Sequence, residues 1–391
     1  MYKNLKYSIF MLLFLLSCKK SNTDNGGANS VTINFPSSYF TDVNLVSKGN
    51  ASPVILDRLT SLIDATPAKS KIHLAIYGFD HQGVISSLKK AAERNVEIHI
   101  AIDFSLDETQ QQNRPTIITI RSFLKEGSDI TTINNDAGSS AIQHNKFVLF
   151  SDINTSTGIV NNVVFQTSHN FTIDDSKKLQ DAVVLNQKGL YDAYLNYFNQ
   201  IKSRGASGMK DFSFLEFNDE PNGIYAQYFP KRKNGVAYGG DSIIEFLDAI
   251  TDPASTTISV GMSDWTASRL NVVNKLQELL LKGAKVEVVA KSKADPEILT
   301  GLENLRKKGA FVKILNLTLS SQPKINIHSK FFIIDGAWKG EKCKIVATGS
   351  HNLTGNALRN NNETLLILKN FNGLFSDYTN NFLELKKLPG I

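Results

Sequence analysis

The chain has 391 residues, more than one average domain, and its 41% hydrophobic and 20% charged content is that of a globular protein burying a full core. The formal net charge is +6, and +4 once Lys3 and Lys6 are set aside. So mild an excess permits an anionic substrate but does not mark a dedicated nucleic-acid binder, which concentrates its basic charge.

Lys3 and Lys6 precede an apolar run from Ile9 to Leu16. That run is far short of the roughly 20 residues that cross a bilayer, and its charged start and small closing residue describe a secretory signal. Residues 1–17 are read as that signal. Ser17 is followed by Cys18, and the stretch LLSC resembles the lipobox of bacterial lipoproteins. The resemblance implies a lipidated Cys18, a flexible tether over residues 18–30, and an exported protein anchored in the cell envelope, periplasmic or on the outer surface. Cys343, the second of two cysteines, is then left without a disulfide partner.

From residue 31 onward the chain repeats itself. KIHLAIYGF reads as a buried strand, followed by a helix and strand in VISSLKKAAERNVEIHIAID; TISVGMSDW and NVVNKLQELLLKGAKVEVVAK have the same shape. RSFLKEGSDITTI matches LENLRKKGAFVKIL, AIQHNKFVLF matches NIHSKFFIID, and VVFQTSHNFT matches IVATGSHNLT. YDAYLNYFNQI and FSDYTNNFLEL close the two copies as amphipathic helices, and INFP at 33–36 is paired with QYFP at 227–230. The offset is 186 residues from Ile72 to Ile258 and 184 from His144 to His328. Alternating strands and helices predict two α/β units, 31–203 and 224–391, each with a largely parallel sheet, joined by a linker at 204–223. A pseudo-symmetric pair places a shared site in the cleft between units.

Four of the seven histidines fall in matched pairs, His144 with His328 and His169 with His351. Each copy has a His-x-Lys opening an apolar strand, so that His144 and Lys146, or His328 and Lys330, share one face about 6–7 Å apart. A second strand then ends in Ser168-His169-Asn170 or Ser350-His351-Asn352. Displacement at a phosphodiester builds negative charge on the non-bridging oxygens, which calls for fixed cations and donors. Two lysines, two serines and two asparagines can supply them, while one imidazole serves as nucleophile and the other as acid and base.

These residues resemble the phospholipase D superfamily, marked by H-x-K-x4-D and G-S-x-N. The second copy fits fully, with His328, Lys330, Asp335, Gly349, Ser350 and Asn352. The first departs twice, with Ser151 at the aspartate position and Thr167 at the glycine. The family's N-x-E matches Asn361-Asn362-Glu363, and Leu179-Gln180-Asp181 stands opposite it in the first copy. The resemblance implies two tandem α/β/α domains with one active site, and no cofactor or metal. His144 is then expected as the nucleophile, as the first motif often is in the family, and His328 as the general acid, with the more regular second motif leaving the reverse assignment open. Lys146, Lys330, Asn170 and Asn352 bind phosphoryl oxygens, Ser168, Ser350 and Asp335 support them, and Asp181 and Glu363 orient the histidines.

His73 and His99 fit alternating strands and are read as packing residues, and His169 and His351 sit at the motif's variable position. Phe79 and Trp265 follow matched strands, either at the cleft mouth or in the core. Anchoring at a membrane makes phospholipid head groups the expected substrate and the enzyme a monomeric phosphodiesterase. A nuclease of the same superfamily is the alternative, although the basic run KRK at 231–233 is only three residues long. A non-catalytic lipoprotein that binds phosphate esters is the alternative from another class.

Overall fold

A computed structural model of the chain describes residues 27–205, 208–209, 211–317 and 324–391. The segment read as a signal, Cys18 and most of the expected tether lie outside the described residues. No helix among the described residues is long and apolar enough to cross a membrane.

The first sheet comprises β1 (Ser37–Phe40), β2 (Lys71–Ile76), β3 (Glu97–Asp103), β4 (Asp129–Ile133), β5 (Lys146–Thr155), β6 (Gly158–Thr167) and β7 (Asp181–Asn186), in the order β1-β7-β6-β5-β2-β3-β4. The second half opens with β8 (Leu215–Asp219) and β9 (Ile224–Tyr228), followed by a small ribbon of β10 (Arg232–Lys233) and β11 (Val236–Ala237). It continues with β12 (Ile250–Met262), β13 (Lys285–Lys291), β14 (Phe311–Leu315), β15 (Lys330–Trp338), β16 (Glu341–Gly349) and β17 (Thr364–Lys369). Its order, β14-β13-β12-β15-β16-β17-β9-β8, is that of the first sheet with one strand added at the edge. The added strand, β8, lies inside the segment read as a linker.

Two expectations need correcting. Each sheet is mixed: β2-β3-β4 and β12-β13-β14 are parallel, while β5, β6 and β7, like β15, β16 and β17, pair antiparallel. The cause is local, because the turns after Thr155 and Trp338 are too short for the crossover a parallel pair requires. The pairing of INFP with QYFP also fails in register, since β1 follows Pro36 whereas β9 precedes Pro230.

The outer faces are covered by helices with apolar residues at helical spacing. Gln82–Glu93 buries Val84, Ile85, Leu88, Ala91 and Ala92, and its counterpart Leu270–Leu281 buries Val272, Val273, Leu276 and Leu279. The inner faces share one core. Phe147, Leu149 and Val183 of the first sheet and Phe331, Ile333 and Leu366 of the second meet there with the helices Lys188–Arg204 and Asn372–Lys387. Those two helices tie the halves together. The Tyr197 hydroxyl donates to the Phe229 carbonyl (2.8 Å), and the Tyr378 hydroxyl donates to Asp181 (2.7 Å). The chain is therefore two α/β/α domains related by a pseudo-two-fold, with one cleft between them.

Candidate active site

The halves are stitched where the His-x-Lys strands begin. Gln143 bridges Asn362, with the His144 amide donating to the Asn362 carbonyl (2.9 Å) and the Asn362 amide donating back to Ile142 (3.0 Å). The mirror contact joins Leu179 and Ile327, with the His328 amide donating to Leu179 (2.8 Å). Each histidine is thus held by the segment leading into the last strand of the other half.

That exchange decides what the imidazoles touch. His144 Nδ1 lies 2.9 and 3.0 Å from the two carboxylate oxygens of Glu363, which is fully buried. The carboxylate accepts a hydrogen bond from Nδ1–H and so fixes the tautomer with a lone pair on Nε2. His328 Nδ1 meets the Gln180 amide oxygen at 3.0 Å and the Ser168 carbonyl at 3.2 Å, with Asp175 at 4.0 Å. The expectation that Asp181 orients a histidine is therefore corrected. Gln180, not Asp181, mirrors Glu363.

The reason is a loop one residue shorter in the first half. The Ser168 amide donates to Asp181, whereas the Ser350 amide donates to Thr364, so Asp181 is equivalent to Thr364. A one-residue slip turns a strand side chain to the opposite face. Asp181 points into the shared core and accepts from Tyr378 and Thr348.

Both lysines are buried and curl over their own motif, Lys146 Nζ donating to the His144 carbonyl (2.6 Å) and Lys330 Nζ to that of His328. Burial, reinforced by Lys330, pushes Lys146 down to about 7. Burial opposed by Asp264 leaves Lys330 at about 8. Burial also lowers His144 against the pull of Glu363, and lowers His328 well below the usual range with Lys330 adding to it. A site with this much unsatisfied cationic capacity is built to receive an anion.

The asparagines sit at the same place in each half. Asn170 Oδ1 accepts from the Gly78 amide (3.4 Å) and Asn352 Oδ1 from the Asp264 amide (3.3 Å), which leaves each side-chain NH2 as the donor for a ligand. The serines serve the frame instead. Ser168 Oγ donates to Gln180 (2.9 Å) and accepts from the Asp181 amide (3.0 Å), and Ser350 Oγ accepts from the Thr364 amide (3.0 Å). Asp335 is brought nowhere near the cleft. It lies five residues along β15 from Lys330, about 16 Å, lining a cavity of about 220 Å³ with Thr257 and Lys285. Ser151, at the corresponding position, accepts from the Lys71 amide (2.8 Å) and donates to Asp152 (2.7 Å), securing the start of β2.

Several contributors carried no sequence signal. Tyr77 walls the first-half side, its ring 5.2 Å from that of His144 and 5.4 Å from Lys146 Nζ. Buried Asp103 accepts from the Gln143 amide (2.7 Å), and the Gln143 side chain accepts from the Asn145 amide (2.6 Å), fixing the approach to Lys146. Asp103 is raised to about 6 because burial outweighs the donors around it. Asp175 is held below the usual carboxylate range despite its burial, by His328 and Lys178.

Other candidates fall outside the cleft. His73 and His99 stack at 4.8 Å, with His99 Nδ1 on Asp129 (2.6 Å). His169 and His351 are buried behind the motif, His351 against the ring of Phe229 (4.3 Å). Phe79 and Trp265 are core residues. In the KRK run, Lys231 Nζ is paired with Glu245 (2.8 Å) and Arg232 donates to Asn360 (2.8 Å). A cavity of about 780 Å³ lies at the opposite ends of β7 and β17 from the histidines, lined by Asn186, Glu220, Lys369 and Phe371 among others. Among the described residues no group of three or more His, Cys, Asp or Glu side chains is disposed to hold a metal ion.

Two α/β/α units contributing one His-x-Lys each to a common cleft define a phosphodiester-active enzyme. The model of the family described as "Cardiolipin synthase, PLD-like domain" matches residues 61–202 and 247–386, and the chain belongs to the phospholipase D superfamily. Its fold is similar to that of phosphatidylserine synthase from Haemophilus influenzae, with a TM-score of 0.60 at 10% identity over 93% of this chain and 88% of that one. It is also similar to polyphosphate kinase from Porphyromonas gingivalis, with a TM-score of 0.54 at 13% identity over 90% of this chain and only 50% of the kinase. No curated protein sequence matches the chain.

Proposed function

We propose that the chain is a phospholipase D-like hydrolase that cleaves phospholipid head groups through a phosphohistidine on His144. The observation that carries this is the unequal pair of imidazoles, one held by the buried Glu363 carboxylate and the other by the neutral Gln180 amide. Glu363 keeps the lone pair of His144 on Nε2 and stabilises the positive ring once phosphorus is bound. His144 Nε2 attacks phosphorus, the bond from phosphorus to the leaving oxygen breaks, and His328 Nε2 gives that oxygen its proton. Water then surrenders a proton to His328 and attacks phosphorus, breaking the P–N bond and restoring both imidazoles. Lys146, Lys330, Asn170 and Asn352 hold the phosphoryl oxygens throughout. No step is routed through a metal, so EDTA should leave turnover within about twofold.

A glycerophospholipid is favoured by the name of the matching family model and by the LLSC stretch, which would place the enzyme on an envelope membrane through Cys18. In the KRK run Lys231 is ion-paired with Glu245 and Arg232 is hydrogen-bonded to Asn360, which counts against their forming a free basic ridge for a nucleic-acid strand. The deciding assay compares head-group release from mixed micelles with single-stranded DNA cleavage, using His328→Ala as blank. Release of head groups supports the reading, and preferential DNA cleavage replaces it with the nuclease. Binding of a diester without any turnover leaves the non-catalytic lipoprotein. Transfer to an added alcohol in place of water would make the protein a synthase. Membrane anchoring is tested separately: Cys18→Ala should move the protein to the soluble fraction, and unchanged partitioning removes the lipoprotein assignment.

A further inference from the structure

The two sides of the cleft mouth are framed alike but furnished differently. The first half leaves β2 as Tyr77-Gly78-Phe79 and the second leaves β12 as Ser263-Asp264-Trp265. Phe79 bridges Phe171 and Trp265 bridges Leu353, and the amide between the strand and each aromatic is held by Asn170 or Asn352. Asp264 therefore places a carboxylate where the other half has only a hydrogen. Met262 pairs with Lys330, so Asp264, two residues on, stands level with His328.

The carboxylate is fixed in place. Lys291 Nζ lies 2.5 Å from Asp264 Oδ1 and 3.3 Å from Ser263 Oγ, and the lysine is 5% exposed. The position of Lys291 in the first half is taken by Asp103, at the end of β3, so this pair has no counterpart there. The Asp264 side chain is 42% exposed, and its second oxygen, Oδ2, has only a long bond from Ser263 Oγ (3.4 Å), so acceptor capacity is left for a ligand. Burial would raise its pKa, but Lys291 and Lys330 hold it below the usual range and keep it ionised. A fixed negative charge beside a phosphate site repels the phosphate unless the substrate brings a donor to meet it.

We infer that Asp264, seated by Lys291, recognises a hydrogen-bond-donating group, a primary ammonium or a hydroxyl, on one arm of the diester and so sets the head-group preference. This rests on the phospholipid reading. A head group with N–H or O–H donors is drawn to the carboxylate through a charge-assisted bond, whereas a trimethylated ammonium brings charge without a donor. Phosphatidylethanolamine is therefore preferred over phosphatidylcholine.

The test measures kcat/KM of the full chain on micelles of each lipid, for the wild type, Asp264→Asn and Asp264→Ser. A hydrogen bond to a charged group is worth about 1.5–3 kcal/mol, so the wild-type preference for ethanolamine should be about tenfold or more. Both variants should bring the ratio close to one. An unchanged ratio in variants that melt with the wild type overturns the inference and makes Asp264 a counter-ion of Lys291. If the wild type cleaves bis(p-nitrophenyl) phosphate but neither lipid, it is the phospholipid reading that falls. Inhibition of that reaction by glycerophosphoethanolamine and glycerophosphocholine then tests Asp264 itself, with equal inhibition of the wild type counting against it.

Discussion

Glu363 reaches across the domain boundary to place its carboxylate 2.9 Å from Nδ1 of His144, whereas the equivalent Gln180 gives His328 an uncharged oxygen at 3.0 Å. The two halves share a backbone plan but differ in the group in direct contact with each imidazole, the nearest carboxylate to His328 Nδ1 being that of Asp175 at 4.0 Å. Glu363→Gln preserves shape and removes only the Glu363 charge, so it should lower kcat by about 10²-fold, within the range of acid–base and tautomer effects. A loss under tenfold would free His144 from dependence on the carboxylate. Gln180→Glu adds the missing charge, raises the pKa of His328, and should move the basic limb of the pH–rate profile upward.

The same asymmetry supports the proposed covalent step on His144, and a trapping experiment tests it. In His328→Ala, a diester with an activated leaving group such as p-nitrophenol needs no general acid for attack, but water has lost its base. Quenching in alkaline denaturant, which spares the acid-labile P–N bond, should then trap a phosphorylated peptide containing His144, seen by mass spectrometry, and His144→Ala should give none. Label recovered at His328 in a His144→Ala protein would reverse the roles.

Much of this was legible beforehand because repetition is itself a signal. Residues as ordinary as Lys146 and Asn170 gain meaning only from counterparts at Lys330 and Asn352 in register. What failed to read was geometry that a one-residue loop difference changes. The intervals from Ser168 to Asp181 and from Ser350 to Glu363 are both 13 residues, which pointed to the wrong partner for His328. Tyr77, Asp264 and Lys291 were hidden for another reason. They lie where the copies differ, and only the folded cleft brings them to the motif.

Asp181 supplies a direct check on that register. It is fully buried, and its bonds from Tyr378 and Thr348 join the first-half strand to a helix and to β16 of the second half. Asp181→Ala should cost about 1–3 kcal/mol of stability through the donors left unpaired, while kcat stays within about threefold. A large loss of kcat without a lowered melting temperature would return Asp181 to the catalytic group.

The lysines make the site sensitive to pH. With burial as the main cause, Lys146 titrates at about 7 and Lys330 at about 8, against 10.5 for a free lysine. Both are charged at pH 6, and both lose charge as pH rises through those values. Below pH 7 the folded chain carries the full cost of holding two buried ammonium groups, and that cost fades as pH rises towards 10.5. A bound anion reverses the shift and draws protons back. Dimethyl phosphate, a diester with no titration of its own in this range, should bind with more proton uptake at pH 8 than at pH 6, where the lysines are already charged and only the histidines, lowered by burial, remain to take up protons. Calorimetry in two buffers of different ionisation enthalpy reads that uptake directly. Lys146→Met should remove part of it at pH 8, and an uptake of zero there in the wild type would mean that both ammonium groups are already charged before the anion binds.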